Sequence, residues 1–101
     1  MEKYMITLAP KPKEILVYAP DTQSAIKQAY IWMENHNYDG DVISVMGADH
    51  TEREFMDTET GEMLTEDILW ADYEASETSS EATFMEYINN CCAKNGTLQQ
   101  I

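Results

Sequence analysis

An α+β domain with a β-β-α-β-β core, a mainly antiparallel sheet and C-terminal helical segments is what the sequence predicts, on three observations. Two runs near the start alternate apolar and polar residues. A 15-residue stretch after them repeats its apolar residues at three- and four-residue steps, and short alternating runs then lead to a second helical stripe near the end. At 101 residues, 44% hydrophobic, the chain reads as one domain, 1–101, long enough for a core of its own and without a linker or internal repeat.

The elements follow in order. Tyr4, Ile6 and Leu8 alternate with Met5, Thr7 and Ala9, and Ile15, Val17 and Ala19 repeat that period after the turn Pro10 to Lys13, which predicts a hairpin. Pro20 closes the second strand and Asp21 stands where a helix N-cap belongs. In TQSAIKQAYIWMENH, Ala25, Ile26, Ala29, Trp32, Met33 and His36 form the face expected against the hairpin, with Lys27, Gln28 and Glu34 in water. NYDGD ends the helix, with Gly40 expected in a left-handed cap or turn.

DVISVM, β-branched and apolar, is expected as a central strand. HTEREFMD alternates again, ETGE makes a turn, and a brief strand is expected at Glu62 to Leu64. TEDILWADYEASE fits one or two helical turns capped by Thr65, with acids in the first turn as the helix dipole favours. ETSSEA reads as a loop. Ser80 is expected to cap a helix whose stripe is Phe84, Met85, Ile88, Cys91 and Cys92 and which Asn95-Gly96 ends, leaving TLQQI as a tail or last short strand.

Charge is the most unequal feature. The net charge is −13, of which residues 41 to 101 carry −12, with fourteen acids against Arg53 and Lys94. Such an asymmetry points to a basic partner. It argues against direct nucleic-acid binding, which needs clustered Lys and Arg. No run of about 18 apolar residues suggests a membrane span, and the start MEKYMITLAP lacks the layout of a signal peptide; a cytoplasmic location is expected. Cys91 and Cys92 are adjacent, which suits reduced thiols better than a disulfide.

DTETGEMLTED, Asp57 to Asp67, places five carboxylates in eleven residues. A calcium loop would need Gly at its sixth position and Glu at its twelfth; here Gly61 comes one residue early and Ile68 takes the last place. His36 and His50 lie fourteen residues apart and the cysteines lack chelating spacing, so no zinc set is assembled locally. His36 is expected at a core boundary and His50 at the surface. No nucleophile elbow, phosphate loop or deaminase motif is present, and no metal, cofactor or catalytic residue is expected.

Carboxylates two apart on a strand project about 6 to 7 Å apart, close to the spacing of phosphates along a nucleic-acid strand. Glu52 and Glu54 fit that repeat, and Asp49, Asp57, Glu59, Glu62, Glu66, Asp67, Asp72 and Glu74 extend the array, with Trp70 and Tyr73 as candidate aromatic anchors. Two blander readings stand beside this one: an acidic surface that serves solubility alone, and Trp70 and Tyr73 as core residues packing a helix on the sheet.

By its size, by DHTEREFMDTETGEMLTED and by its missing catalytic motifs, the chain resembles the small acidic inhibitors that phages carry against bacterial defence, anti-CRISPR proteins in particular. That class has no shared sequence signature, so the site residues named above come from charge and not from the resemblance. What it implies is a monomeric or weakly dimeric, non-enzymatic blocker in the host cytoplasm, seated in the basic guide-, target- or PAM-binding groove of a CRISPR effector or subunit. An accessory or regulatory module of a bacterium or mobile element, binding through the sheet edge or through Lys27, Gln28 and Glu34, is the alternative. A small metal-dependent enzyme using Asp57, Glu59 and Glu62 is the third.

Overall fold

In the computed structural model, which describes residues 1–93 and 97–101, β1 (Glu2–Ala9) and β2 (Lys13–Ala19) form the expected hairpin, with Tyr4 opposite Val17 and Ile6 opposite Ile15. The peptide bond Ala9–Pro10 at the turn is cis. β3 (Asp41–Ala48) pairs with the other side of β1, so the strand order is β2-β1-β3. DVISVM is thus at a sheet edge and not central, because β1 occupies the middle. Its register shifts at Thr7/Leu8, and Ile43 and Met46 are 64% and 62% exposed.

Between hairpin and β3 runs α1 (Thr22–Asn35), started by Asp21, whose carboxylate accepts from the Ser24 N–H at 2.7 Å. That hydrogen bond to the charged form holds the Asp21 carboxyl below its ordinary value. Ala25, Ala29 and Met33 pack against Tyr4, Ile6, Leu8, Ile15, Val17 and Ala19, each large aliphatic side chain contributing about 1.5–3 kcal/mol by its burial. Two expectations for this helix fail: Gln28 is buried, and His36 is an exposed C-cap stacked on Trp32, while Ile31, off the expected face, is also buried. Gly40 does not take the left-handed turn; Asn37 does, at φ 51°. Gly40 is required for a different reason, since a Cβ there would stand 2.0 Å from the Ala9 carbonyl oxygen.

The rest of the chain builds a second three-stranded antiparallel sheet, order β5-β4-β6, where one sheet was expected. Its strands are short: β4 (Glu54–Asp57), β5 (Met63–Thr65) and β6 (Leu98–Gln100). HTEREFMD forms a strand only in its second half, and residues 49–53 are a connector without regular structure. α2 (Glu66–Ala75) follows β5 directly, with the Thr65 hydroxyl accepting from the Ile68 N–H at 3.4 Å. A 3-10 turn, Glu77–Ser80, lies where a loop was expected.

α3 (Phe84–Ala93) carries the expected stripe at Phe84 and Ile88, with Met85, Cys91 and Cys92 half-buried and both thiols free. Thr83, not Ser80, caps it, its hydroxyl accepting from the Glu86 N–H at 3.3 Å, because Ser80 belongs to the 3-10 turn. The expected stop at Asn95-Gly96 falls outside the described residues. TLQQI supplies β6, and Leu98 is buried.

One core spans both sheets. Phe55, Leu69, Trp70, Tyr73, Phe84 and Ile88 continue the cluster begun by Ile6 and Leu8. Among the described residues no helix is long and apolar enough to cross a membrane.

Candidate functional site

The acidic candidates divide into three groups. Asp49, Glu52, Glu54, Glu59, Glu62, Asp67, Asp72 and Glu74 are exposed. They sit on adjoining elements: the connector 49–53, the β4–β5 hairpin and α2. Glu52 lies in the connector and Glu54 opens β4, so the two do not share the strand face expected of them. Among the described residues only Asp67 of the eight makes an ion pair, with the Met1 amine at 3.2 Å. Glu74 accepts from the Trp70 indole N–H at 2.6 Å.

Asp57, half-buried, builds the turn. Its carboxylate accepts from the N–H groups of Glu59 at 2.9 Å and Thr60 at 3.4 Å. The Gly61 N–H reaches the Asp57 carbonyl at 2.7 Å, with Gly61 at φ 73°, a conformation that glycine adopts without a Cβ penalty. One oxygen of the would-be first calcium ligand is therefore engaged by backbone. Among the described residues no group of three or more His, Cys, Asp or Glu is placed to hold a metal ion.

Glu66, Trp70 and Tyr73 are corrections, because the fold buries all three. Glu66 has no exposed surface. Its Oε1 accepts from the Arg53 N–H at 2.5 Å and from Arg53 Nε at 3.3 Å, and His50 Nε2 lies 2.9 Å away. Arg53, the chain's single arginine, also lies 4.5 Å over the Tyr18 ring and 5.6 Å from that of Phe55. A carboxylate buried without partners would be prohibitively costly, so this one draws in the arginine and a backbone amide. The result ties the connector and β2 to the start of α2. His50, expected at the surface, keeps 7% of its side-chain exposure and packs on Tyr18.

Trp70 and Tyr73 are 9% and 1% exposed, and with Phe84 they form a triangle of rings 5.1 to 5.5 Å apart. The Tyr73 hydroxyl donates towards the Ala82 carbonyl at 2.5 Å and accepts from Gln28 Nε2 at 3.0 Å, while Gln28 Oε1 accepts from the Phe84 N–H at 2.7 Å. Burial is the main cause raising the Tyr73 pKa above its ordinary value, and the charges of Glu86 and Glu74 add to it against the Gln28 hydrogen bond. Gln28 is thus a bolt between α1 and α3, and it leaves the surface on which it was expected beside Lys27 and Glu34.

Sequence reasoning missed the Glu66 and Gln28 anchors. Each left a faint trace. Gln28 sits three residues after Ala25 and beside Ala29, in the middle of the apolar stripe, and His50 and Arg53 bring basic side chains into an acidic run that offers them partners.

A small antiparallel α+β domain with an open acidic surface is the class that fold and site define. Comparison with known proteins finds no matching family model, no matching curated protein and no matching solved structure.

Proposed function

We propose that this protein is a stoichiometric binding inhibitor whose acidic surface occupies a basic, nucleic-acid-binding groove of a partner, of the kind a CRISPR effector presents to guide or target. One observation carries the reading: seven exposed carboxylates, Asp49, Glu52, Glu54, Glu59, Glu62, Asp72 and Glu74, make no ion pair among the described residues. A face that serves solubility alone usually mixes signs. Here the one arginine nearby is spent on Glu66.

The burial of Trp70 and Tyr73 changes how such binding works. Without those rings as anchors, attraction is carried by exposed charge, which steers association and weakens as salt screens it over about 8 Å at physiological ionic strength. The test is a pull-down from bacterial lysate at low and high salt, followed by competition with a nucleic acid for the captured protein. Capture of a basic nucleic-acid-binding protein that salt releases and that nucleic acid displaces is expected. Replacing Glu52, Glu54, Glu59 and Glu62 with Gln should abolish capture while changing stability by no more than about 0.5 kcal/mol per substitution. Unchanged capture by that variant would overturn the proposal.

A further inference from the structure

Among the described residues β2 pairs with β1 alone, so its second edge directs N–H and C=O groups outwards at alternate residues. Residues 14 to 18 of that strand all line one cavity of about 460 Å³. Successive residues of a strand point to opposite faces. A single cavity that touches five in a row therefore lies against the strand's edge, where the backbone is open. Beyond the ladder to β1, no described residue hydrogen-bonds to the backbone there. Four steps along a strand span about 13 Å, room for a partner segment of about four or five residues.

The walls give that segment a chemistry. On one side stand Trp32 and His36 of α1, stacked at 4.2 Å, and on the other Met85 and Glu86 of α3. Glu14 is exposed on the opposite face of β2 and Glu86 is half-buried in the wall, and neither makes an ion pair among the described residues. Among the described residues no Lys or Arg lines the cavity. The indole already attracts an ammonium group from within the chain, since Lys13 Nζ lies 5.7 Å over the Trp32 ring.

We propose that the open edge of β2 is a strand-addition site for an extended segment of a partner protein bearing Lys or Arg on both of its faces. Residues facing the helices lay their aliphatic stems on Trp32 and Met85 and bring their charge to Glu86. A basic residue facing the other way pairs across the strands with Glu14. The site lies outside the run Asp49 to Glu74 and stands whether or not the acidic surface binds a nucleic-acid-binding partner.

The test titrates ¹⁵N-labelled protein with an acetylated, amidated hexapeptide Val-Lys-Lys-Val-Lys-Lys, which carries Lys on both faces of an extended strand. Its controls are the Val and Glu counterpart and a version N-methylated at alternate residues. Expected are slowed hydrogen exchange and shifts at alternate amides of residues 14 to 18 and at the Trp32 indole, with a Kd of about 1 mM or tighter. Glu14→Gln with Glu86→Gln should weaken binding about fivefold or more, and neither control peptide should perturb those amides. Unshifted β1 and β3 amides in the double variant show that it is folded. No response of β2 to the Val and Lys peptide, equal binding by the Glu peptide, or undiminished binding by the double variant would each overturn the proposal.

Discussion

β1 runs for eight residues and pairs along nearly all of them with β2 on one side and β3 on the other, whereas β4 has four residues and finds three partners on each side. The first sheet holds itself by ladder and by alternation, its inner side chains meeting α1, with α3 beside β2. Three residues of pairing cannot do the same for the second sheet, and an isolated short ladder is marginal in water. What holds that half is an aromatic triangle and two buried polar anchors, Tyr73 and Glu66. Residues 49–101, which build it, also carry −11 of the −13 net charge, thirteen acids against Arg53 and Lys94, so self-repulsion works against the less regular structure. Strand length and core chemistry thus trade places between the two regions.

Removing the Tyr73 ring tests that contrast hardest. Tyr73→Ala is expected to cost about 3–5 kcal/mol, and Tyr73→Phe, which leaves Gln28 Nε2 unpaired, about 1–3 kcal/mol. Urea denaturation measures the loss, and hydrogen exchange should show β4 and α2 opening before β1 and β2. Equal loss of protection in both sheets would erase the distinction between them. Glu66→Ala should follow at about 3 kcal/mol, towards the low end for a broken buried pair, because the Arg53 side chain keeps 22% of its exposure.

The glycines sharpen the comparison at smaller cost. Gly40→Ala, which drives a Cβ into the Ala9 carbonyl, should destabilise by about 1–3 kcal/mol. Gly61→Ala, in the acidic hairpin, should lose about 1–2 kcal/mol to left-handed strain. Gly47→Ala, with open space around its Cβ position, should be neutral or mildly stabilising. Thermal unfolding of the three variants orders them.

The smallest effect is expected at alkaline pH. Burial raises the pKa values of Tyr73, Tyr87 and Cys91 above their ordinary values of 10.0, 10.0 and 9.0. Each group then keeps its proton in the folded chain at a pH where the unfolded chain has lost it. Stability is full below those ordinary values and falls as pH rises past 9 and then 10. Urea midpoints measured from about pH 8 to 11 should decline, and Tyr73→Phe should flatten part of that slope.

Much of the first half was legible in its residues. Tyr4, Ile6 and Leu8 with Ile15 and Val17 state both the strands and the face they bury, and Asp21 states where the helix starts. Local signals suffice there because each side chain's place follows from its own period. Thr65 as a cap was legible for the same reason, but the sequence offered one or two turns after it where the fold makes a ten-residue helix. The assignment of β3 to the middle failed because apolar, β-branched residues suit an edge as well as a centre, and only pairing with β1 decides between them.

By itself the sequence determined the α+β class, the hairpin, the first and last helices and the lopsided charge, since these depend on neighbours a few residues apart and on composition. Tertiary structure alone decided that there are two sheets, that Glu66 leaves the acidic array for Arg53, that Trp70 and Tyr73 belong to the core, and that Gln28 reaches Phe84 across 56 residues. The physical reason is the same in each case. A carboxylate or an amide is equally at home in water and in a fully partnered interior, and whether the partners arrive is settled by elements distant in the chain.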